Sequence, residues 1–378
     1  MLTDNPSQCG WTKVSRMTSP ASLALSRIQE HKAYVPGEQP APETNLIKLN
    51  TNENPYPPSP LVHAAIKAEA KDLRLYPNAK SSSLRDSLAE LHGLSPNQVL
   101  AGNGSDDVLN LCARCFADVD KPIGMTVPSY SLYPTLASLQ GSPLVEVPFD
   151  ESFSLDSERI SNCGANLFYL TSPNAPTGLG FSNQVLSEVL KSFAGILVVD
   201  EAYADFADEN AVPLLSEFPR LLVVRTLSKS YGLAGLRVGF ALGSPEVIGI
   251  LDKVREVYNV DRLAQAAAVA AIKDQEYFQE VVDKVLATRS QLSEFFAGLK
   301  WKSYESSANF VFAEPRSPSG ESGPKIAEDL FDFLYARNIL VRRFPNHPLT
   351  SSFLRISIGD DDQMITLKKT IEEWVKTA

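Results

Sequence analysis

Three short apolar runs in the middle of the chain each lead into a turn of polar residues, and this repeated pattern limits the fold more than any other feature. The turns begin at Thr171, Asp200 and Thr226. Short, continuous apolar runs of this kind are typical of buried strands. The pattern therefore predicts an α/β protein, and the ligands of such proteins collect where the strands end.

The turn after the third run places a lysine among hydroxyl side chains. Thr226 and Ser228 precede Lys229, and Arg237 follows it by eight positions. An amine in this place can hold a carbonyl cofactor as a Schiff base, while Ser228 and Arg237 bind a phosphate on the same molecule. The alternative is a solvated lysine beside a flexible loop, and this stretch alone does not separate the two.

The second run supplies the partners that such a cofactor needs. Asp200 and Tyr203 leave the end of this strand. A carboxylate there can pair with a protonated pyridine nitrogen, and a tyrosine hydroxyl can donate to a phenolate oxygen. This set favours pyridoxal phosphate (PLP) as the cofactor, with Lys229, Asp200 and Tyr203 as catalytic residues.

Motifs from about Tyr34 to the C-terminus carry a family resemblance. They are, in order, LNTNENPYPPSP, RLYPN, GNGSDD, VPSYSLYP, SPNAPTG, VVDEAYADF, TLSKSYGLAGLRVGF and LRISIG. The series resembles the fold-type I PLP-dependent aminotransferases, and among them it is most similar to the histidinol-phosphate aminotransferase family. The resemblance implies a large domain with a mostly parallel seven-stranded sheet between helices, and a small α+β domain.

Length and resemblance together predict how the chain is divided, since 378 residues are many for one core. We expect a flexible leader at 1–27, an N-terminal arm at 28–60, a large PLP-binding domain at 61–270 and a small α+β domain at 271–378. The arm should be extended from Ile28 to Asn54 and contribute to the small domain and the active site. The leader lacks a signal-peptide core, whereas a transit peptide is an alternative reading of it.

Composition excludes several classes of protein. A net charge of −10 without a basic block argues against a nucleic-acid surface, and no apolar run is long enough to cross a membrane. Four cysteines without framework spacing indicate a reducing compartment, and we expect the cytoplasm. Cys112 and Cys115 form a lone CxxC on one helix face, which favours core packing, and the scattered histidines support no metal site.

The segment GNGSDD predicts a strand, a tight turn and a helix. Gly104 lets the main chain approach a ligand, and Ser105 and Asp106 open the helix with their amides directed at an anion. An ordinary Asp-capped helix is the alternative. Together with the hydroxyls and the arginine around Lys229, this turn is expected to form the cup for the cofactor phosphate.

Two further cofactor contacts follow from the resemblance. Tyr130 corresponds to the aromatic residue that stacks on the pyridine ring, with Tyr133 as the packing alternative. Tyr76 corresponds to a tyrosine that crosses a dimer interface to the neighbour's cofactor phosphate, which predicts a homodimer. Alternatively, Tyr76 is only the residue before a helix-ending proline.

The resemblance also implies the substrate site, formed by Tyr34, Asn54, Asn309, Arg342 and Arg355. The arginine fork matches phosphate or carboxylate, and Arg343 should face away because side chains alternate along a strand. The alternative for Tyr34 is that it only anchors the arm by packing. The alternative for Arg342 is that it is a solvated strand residue. The expected partners are a phosphorylated amino alcohol or amino acid and 2-oxoglutarate or glutamate.

Several activities remain open at this point. The first is the transamination of histidinol phosphate, and the others are aromatic amino-acid transamination and threonine-phosphate decarboxylation. A cofactor-holding domain without turnover is disfavoured, because the set of lysine, aspartate, tyrosine and arginine is intact.

SPNAPTG departs from the family, which usually has an asparagine immediately before Pro-Thr-Gly as a donor to the cofactor's phenolate oxygen. Ala175 stands there, and Asn174, our candidate contact, is one residue early and should point elsewhere. Losing a donor to the ionised form should raise the pKa of the lysine–cofactor linkage. Ala175→Asn should therefore lower this pKa in an absorbance titration. Equal values in the two proteins would contradict the idea that Tyr203 alone supports this oxygen.

Overall fold

A computed structural model describes residues 19–33, 37–41 and 46–377. Residues 1–18 of the expected leader, and Tyr34 with its expected substrate contact, lie outside the described residues.

Thirteen strands form within the described residues. They are β1 (Ile47–Lys48), β2 (Val99–Asn103), β3 (Ile123–Val127), β4 (Leu144–Pro148), β5 (Leu167–Thr171), β6 (Ile196–Asp200), β7 (Leu221–Thr226), β8 (Val238–Gly243), β9 (Lys302–Ser303), β10 (Phe310–Glu314), β11 (Ile339–Leu340), β12 (Arg342–Arg343) and β13 (Leu354–Ser357).

Twelve α-helices accompany them in the same part of the chain. They are α1 (Ser26–Glu30), α2 (Pro60–Glu69), α3 (Ser82–His92), α4 (Ser105–Phe116), α5 (Leu132–Gln140), α6 (Ser157–Asn162), α7 (Asn183–Ser192), α8 (Pro245–Val254), α9 (Arg262–Lys273), α10 (Gln275–Gly298), α11 (Pro324–Tyr335) and α12 (Asp361–Thr377). None of these helices has the length and apolar character needed to cross a bilayer.

The large sheet has seven strands in the order β2-β8-β7-β6-β5-β3-β4. The pairs from β4 through β7 are parallel, and β8 runs antiparallel to both of its neighbours. The prediction of an α/β fold with a mostly parallel seven-stranded sheet is confirmed. The ends of β5, β6 and β7 meet at one edge, because these strands are parallel and adjacent.

Both faces of this sheet are buried, which explains the continuous apolar runs in the sequence. Leu197 and Val199 of β6 pack into one core layer under α2, α3, α6, α7 and α9. Val198 packs into the opposite layer with α4, α5 and α8. Consecutive side chains point to opposite faces of a strand, so a strand buried on both faces is mostly apolar, and its polar residues need buried partners.

The second sheet is small and antiparallel, in the order β12-β13-β10-β9. Its core joins apolar residues of α10, α11 and α12, among them Phe296, Leu330 and Leu367. Tyr203 and Phe206, from the large sheet's edge, pack into the same cluster. The small sheet is therefore held against the carboxyl ends of the large sheet's strands.

The arm starts differently from our expectation. Extended chain from Ile28 was wrong at its first residues, because Ser26–Glu30 is helical. This helix docks on α5, where Arg27 Nε donates to the Leu139 carbonyl oxygen at 3.1 Å. Further along, β1 pairs with β11 of the small domain, with Ile47 opposite Ile339.

We still propose that the boundary between the two domains lies near residue 271. Helix α9 packs on α2 and α3 of the large domain, whereas Val282, Leu292 and Phe296 of α10 belong to the small-domain core. The long helix α10 therefore carries the chain from one domain into the other.

Candidate active site

A cavity of about 1130 Å³ lies between the two sheets and the arm. Its wall includes most of the residues that the sequence singled out. These are Ser105, Asp106, Tyr130, Asp200, Tyr203, Thr226, Ser228, Lys229, Arg237, Arg342 and Arg355. Gly37 and Gln39 of the arm complete one side.

Lys229 sits in the turn after β7, with its amine directed into the cavity wall. Nζ donates to the Thr51 carbonyl oxygen at 3.0 Å and lies 5.9 Å from the centre of the Tyr203 ring. Desolvation, together with the positive charge of Arg355, lowers the pKa of the Lys229 amine to about 8. An amine with this pKa is partly neutral near pH 7, as a nucleophile or a general base requires.

Asp200 is buried at the end of β6. Its Oδ2 accepts a hydrogen bond from the Tyr133 hydroxyl at 2.8 Å, and its Oδ1 accepts from the Ala202 amide at 3.2 Å. Burial raises the pKa of Asp200 to about 7. A buried carboxylate of this kind favours a cationic partner, and a protonated pyridine nitrogen supplies one.

Tyr133 was expected only to pack, and the structure gives it a second task. Its ring is completely buried and stacks on Tyr169 at 4.7 Å. Its hydroxyl is within 2.6 Å of Thr171 Oγ1 as well as bonding Asp200. Tyr133 therefore orients the Asp200 carboxylate, through a contact that joins residues far apart in the sequence.

Tyr203 is nearly buried and receives a hydrogen bond that the sequence did not indicate. Asn52 Nδ2 donates to the Tyr203 hydroxyl oxygen at 2.9 Å. Asn52 is itself fixed by Ser357 of β13, whose Oγ donates to Asn52 Oδ1 at 2.9 Å. Asn50 and Asn52, and not Asn54, are thus the asparagines of this segment that line the cavity.

The start of α4 forms a cup suited to a phosphate. The helix has no side-chain cap, and Gly104 before it has a φ of +83°. Gly239 of β8 leaves room for this turn, because a Cβ there would lie 2.2 Å from the Ser105 amide nitrogen. Uncapped amides at a helix N-terminus bind anions.

Basic and hydroxyl side chains surround this cup. Arg237 Nη2 donates to Asp106 Oδ2 at 3.1 Å, and the Tyr130 hydroxyl donates to the other carboxylate oxygen at 3.1 Å. On the opposite side, Thr226 Oγ1 donates to Ser228 Oγ at 2.9 Å. These groups fit the phosphate of the cofactor that the sequence suggested.

The small sheet brings a pair of arginines to the same cavity. Arg342 and Arg355 are direct cross-strand neighbours on β12 and β13. Arg355 Nη2 donates to the Asn50 carbonyl oxygen at 2.9 Å, and its guanidinium lies 5.2 Å from the rings of Phe310 and Phe344. Like charges opposite each other repel, so this pair favours an anion between them.

Arg343 directs its guanidinium to α11 and not to this pair, as expected from strand alternation, although the residue also borders the cavity. Its Nη1 donates to Glu328 Oε1 of α11 at 3.0 Å. Arg342, by contrast, forms no ion pair with any carboxylate of the described residues. The two neighbouring arginines therefore differ in ion pairing: the charge of Arg343 is matched by Glu328, whereas that of Arg342 is left for a ligand.

Five predicted residues within the described chain do not line the cavity. One of them, Gly104, instead shapes the turn before α4. Asn54 bonds the main chain of the lysine turn, and Asn309 Nδ2 donates to the Asn52 carbonyl oxygen at 3.0 Å. Asn174 is a correction to our list of cofactor contacts: its Oδ1 accepts from Thr177 Oγ1 inside the turn, and Ala175 takes the place at the cavity. Tyr76 is 77% exposed on the surface of the large domain.

Comparisons with known proteins agree with this geometry. The model of the family "Aminotransferase class I and II" matches residues 44–371. The chain is 47% identical to the histidinol-phosphate aminotransferase of Syntrophotalea carbinolica over 340 residues, which cover 89% of this chain and 95% of that protein. The Synechocystis enzyme of the same name is 45% identical, over 89% of this chain and 94% of its own length. The chain belongs to the histidinol-phosphate aminotransferase family.

Solved structures support the same assignment for this aminotransferase. The histidinol-phosphate aminotransferase of Sinorhizobium meliloti, solved in complex with pyridoxal-5'-phosphate, has a TM-score of 0.82 at 26% identity and covers 96% of this chain and 98% of its own. A Thermus thermophilus aspartate aminotransferase has a TM-score of 0.75 at 21% identity, covering 93% of this chain and 99% of its own, and shows the shared fold alone. The resemblance to fold-type I PLP-dependent aminotransferases is confirmed.

The lowered pKa of Lys229 gives a test on the cofactor-free aminotransferase. With a pKa of about 8, about one amine in ten is neutral at pH 7, against about one in 3000 for the ordinary value of 10.5. Arg355→Met removes a positive charge and should raise this pKa, slowing acylation of Lys229 at pH 7 by about three- to tenfold. The rate is followed by mass spectrometry across pH.

Arg343→Met is the matched control, because Arg343 pairs with Glu328. It should leave the labelling curve of Lys229 unchanged. A labelling midpoint near pH 10.5 in the unaltered protein would contradict the desolvated amine.

Proposed function

We propose that this aminotransferase transfers the amino group of L-histidinol phosphate to 2-oxoglutarate, giving imidazole acetol phosphate and L-glutamate, with PLP as its cofactor. The activity belongs to histidine biosynthesis. The names of the relatives support the reaction, and the layout of the cavity supports the class of substrate.

The observation that carries the proposal is a cavity with two separate cationic ends. One end is the cup at the start of α4 with Arg237, and the other is the cross-strand pair of Arg342 and Arg355. Lys229 and Asp200 line the same cavity. One cationic end suits the phosphate of the cofactor, and the second suits the phosphate of a substrate.

Each residue of the site has a role in this reaction. When bound, PLP supplies the electron-withdrawing ring that allows a C–H bond beside the amine to break. Ser228, Arg237 and the α4 amides would hold its phosphate, and Asp200 would keep a proton on its ring nitrogen. The partly neutral Lys229 amine can accept the proton from the substrate carbon and return it.

The arginine pair decides between substrate classes, so Arg342 gives the next test. Arg342→Met should lower kcat/KM for histidinol phosphate by about 10- to 150-fold, the range expected for a charge-assisted hydrogen bond of about 1.5–3 kcal/mol. The value for histidinol, which lacks the phosphate, should change by less than about twofold. The control Arg343→Met should leave both values unchanged.

The same assay on a substrate panel tests the reaction itself. Turnover of phenylalanine far above histidinol phosphate would favour an aromatic transaminase. Release of CO₂ from threonine phosphate would favour a decarboxylase. Either result would overturn the proposed substrate.

We also propose that the chain acts as a homodimer in which Tyr76 serves the partner's site. Tyr76 stacks on Tyr258 with ring centres 4.5 Å apart, and the adjoining Leu73 and Val257 are about 60% exposed. An exposed apolar patch of this kind is typical of an interaction surface. Arg262 Nη2 donates to the Tyr76 carbonyl oxygen at 3.0 Å and holds the segment in place.

Mixing two inactive variants tests this arrangement. Lys229→Ala lacks the amine, and Tyr76→Ala lacks the proposed cross-interface contact. In a mixed dimer, one site combines an intact Lys229 from one chain with an intact Tyr76 from the other. Random pairing after denaturation and refolding should therefore restore about a quarter of the unaltered activity, because half of the dimers are mixed and each has one good site. If Tyr76 served its own chain's site, mixing would restore no activity.

We further propose that the enzyme works in the cytoplasm. Cys112, Cys115 and Cys163 are free thiols in the described part of the chain, which supports a reducing compartment.

A further inference from the structure

The main chain at Lys229 is held by side chains from two distant segments. One is Asn54, in the loop between β1 and α2. The other is Asp205, which follows the end of β6 in the short 3-10 helix Ala204–Phe206. Neither residue is among the described residues that line the cavity.

Asn54 bonds both carbonyl groups of the lysine turn. Its Nδ2 donates to the Lys229 carbonyl oxygen at 2.9 Å and to the Ser230 carbonyl oxygen at 3.0 Å. Its Oδ1 accepts from the Tyr56 amide at 3.0 Å, which closes its own turn. Both donors of the amide group are therefore used on the segment that carries the catalytic amine.

Asp205 bonds the residue that follows the lysine. Its carboxylate accepts a hydrogen bond from Ser230 Oγ, and Ser230 is only 2% exposed. The other carboxylate oxygen accepts from Arg225 Nη1 at 3.3 Å. A hydrogen bond to a charged acceptor in a buried place is stronger than one between neutral groups.

A buried ion pair anchors Asp205 in turn. Arg225 donates to Glu201 Oε2 through Nε at 2.9 Å and through Nη2 at 2.7 Å, and both side chains are nearly inaccessible. Three members of the network each adjoin a cavity residue in the sequence: Glu201 follows Asp200, Arg225 precedes Thr226, and Ser230 follows Lys229. The network therefore links the ends of β6 and β7 behind the cavity.

We propose that Asn54 and Asp205 are positioning residues that fix the Lys229 turn from two sides, so that the amine is placed correctly before any ligand binds. The importance of Lys229 here rests on the proposed function. A misplacement of a reacting group by about 1 Å can cost about a hundredfold in rate. The hydrogen bonds of Asn54 and those of Asp205 act on the same peptide segment, so the loss of either set should make this segment more mobile.

Three variants separate the contribution of Asn54 from that of the hydrogen bond between Ser230 and Asp205. Asn54→Asp keeps the acceptor for the Tyr56 amide and replaces the donors with a carboxylate oxygen that faces two carbonyl groups. Ser230→Ala removes only the hydroxyl that bonds Asp205, and Ser230→Thr restores a hydroxyl. The matched control is Asp252→Asn. This change disrupts the two hydrogen bonds that Arg85 of α3 donates to a carboxylate of α8, which is about as exposed as the carboxylate of Asp205.

Hydrogen exchange of the cofactor-free full chain is the deciding measurement. The amides of Leu227, Ser228 and Leu233 are hydrogen-bonded within or beside the turn. Their exchange should become at least about tenfold faster in Asn54→Asp and Ser230→Ala, return towards the unaltered rate in Ser230→Thr, and remain unchanged in the control.

Kinetics of the PLP-loaded enzyme supply the second readout. Both variants should lower kcat for histidinol phosphate by about 10- to 100-fold with KM within about twofold. Unchanged exchange in Ser230→Ala and Asn54→Asp would overturn the proposal, even if kcat fell. If Asn54→Asp did not fold, the comparison of Ser230→Ala with Ser230→Thr would decide.

Failure of the proposed function would look different. An unaltered protein that does not use histidinol phosphate would overturn that function. Faster exchange in the variants of this protein would still support the positioning of Lys229, because the exchange measurement uses neither cofactor nor substrate.

Discussion

The site depends on an amine that is partly withdrawn from water beside positive charge. Desolvation and Arg355 together bring the pKa of Lys229 to about 8, so that part of the amine is neutral at physiological pH. Without compensating charges, the same environment would destabilise the charged form of the amine, because a buried charge needs partners. Glu53 and Asp106 offset part of it, since their negative charges act to raise the pKa of this amine.

The fold supplies this environment by bringing two sheets together at one edge. Parallel strands β5, β6 and β7 end side by side, so that Asp200 and Lys229 lie on neighbouring strand ends. The small sheet then covers this edge with a face that carries two opposed arginines. In the proposed reaction, one sheet provides the catalytic groups, and the other provides the charge that selects an anionic substrate.

The fold and the centre of the site could be read from the sequence because they follow local rules. A run buried on both faces is mostly apolar until near its end, and this located Asp200, Tyr203 and Lys229 at or just after strand ends. Alternation along a short strand separated Arg342 from Arg343 before any contact was known. The roles of these residues remain proposals, whereas their placement around one cavity is a property of the structure.

The features that the sequence did not predict depend on long-range contacts and on irregular backbone. Asn52 has a φ of +57°, which is irregular for an extended chain, so the sequence LNTNENP did not indicate that Asn50 and Asn52 line the cavity and Asn54 does not. Tyr133 bonds Asp200 across 67 positions, and no local pattern reports such a contact. The helix at Ser26–Glu30 was missed for a related reason: it is one turn long and is held by α5, and short helices owe their stability to packing.

Covalent attachment of the cofactor at one lysine tests the account most directly. The purified protein is incubated with PLP, reduced with borohydride and digested, and the peptides are mapped by mass spectrometry. The account predicts one reduced pyridoxyl phosphate group per chain, located on Lys229 and absent from Lys229→Ala. A protein that remains colourless and carries no adduct at this position would contradict it.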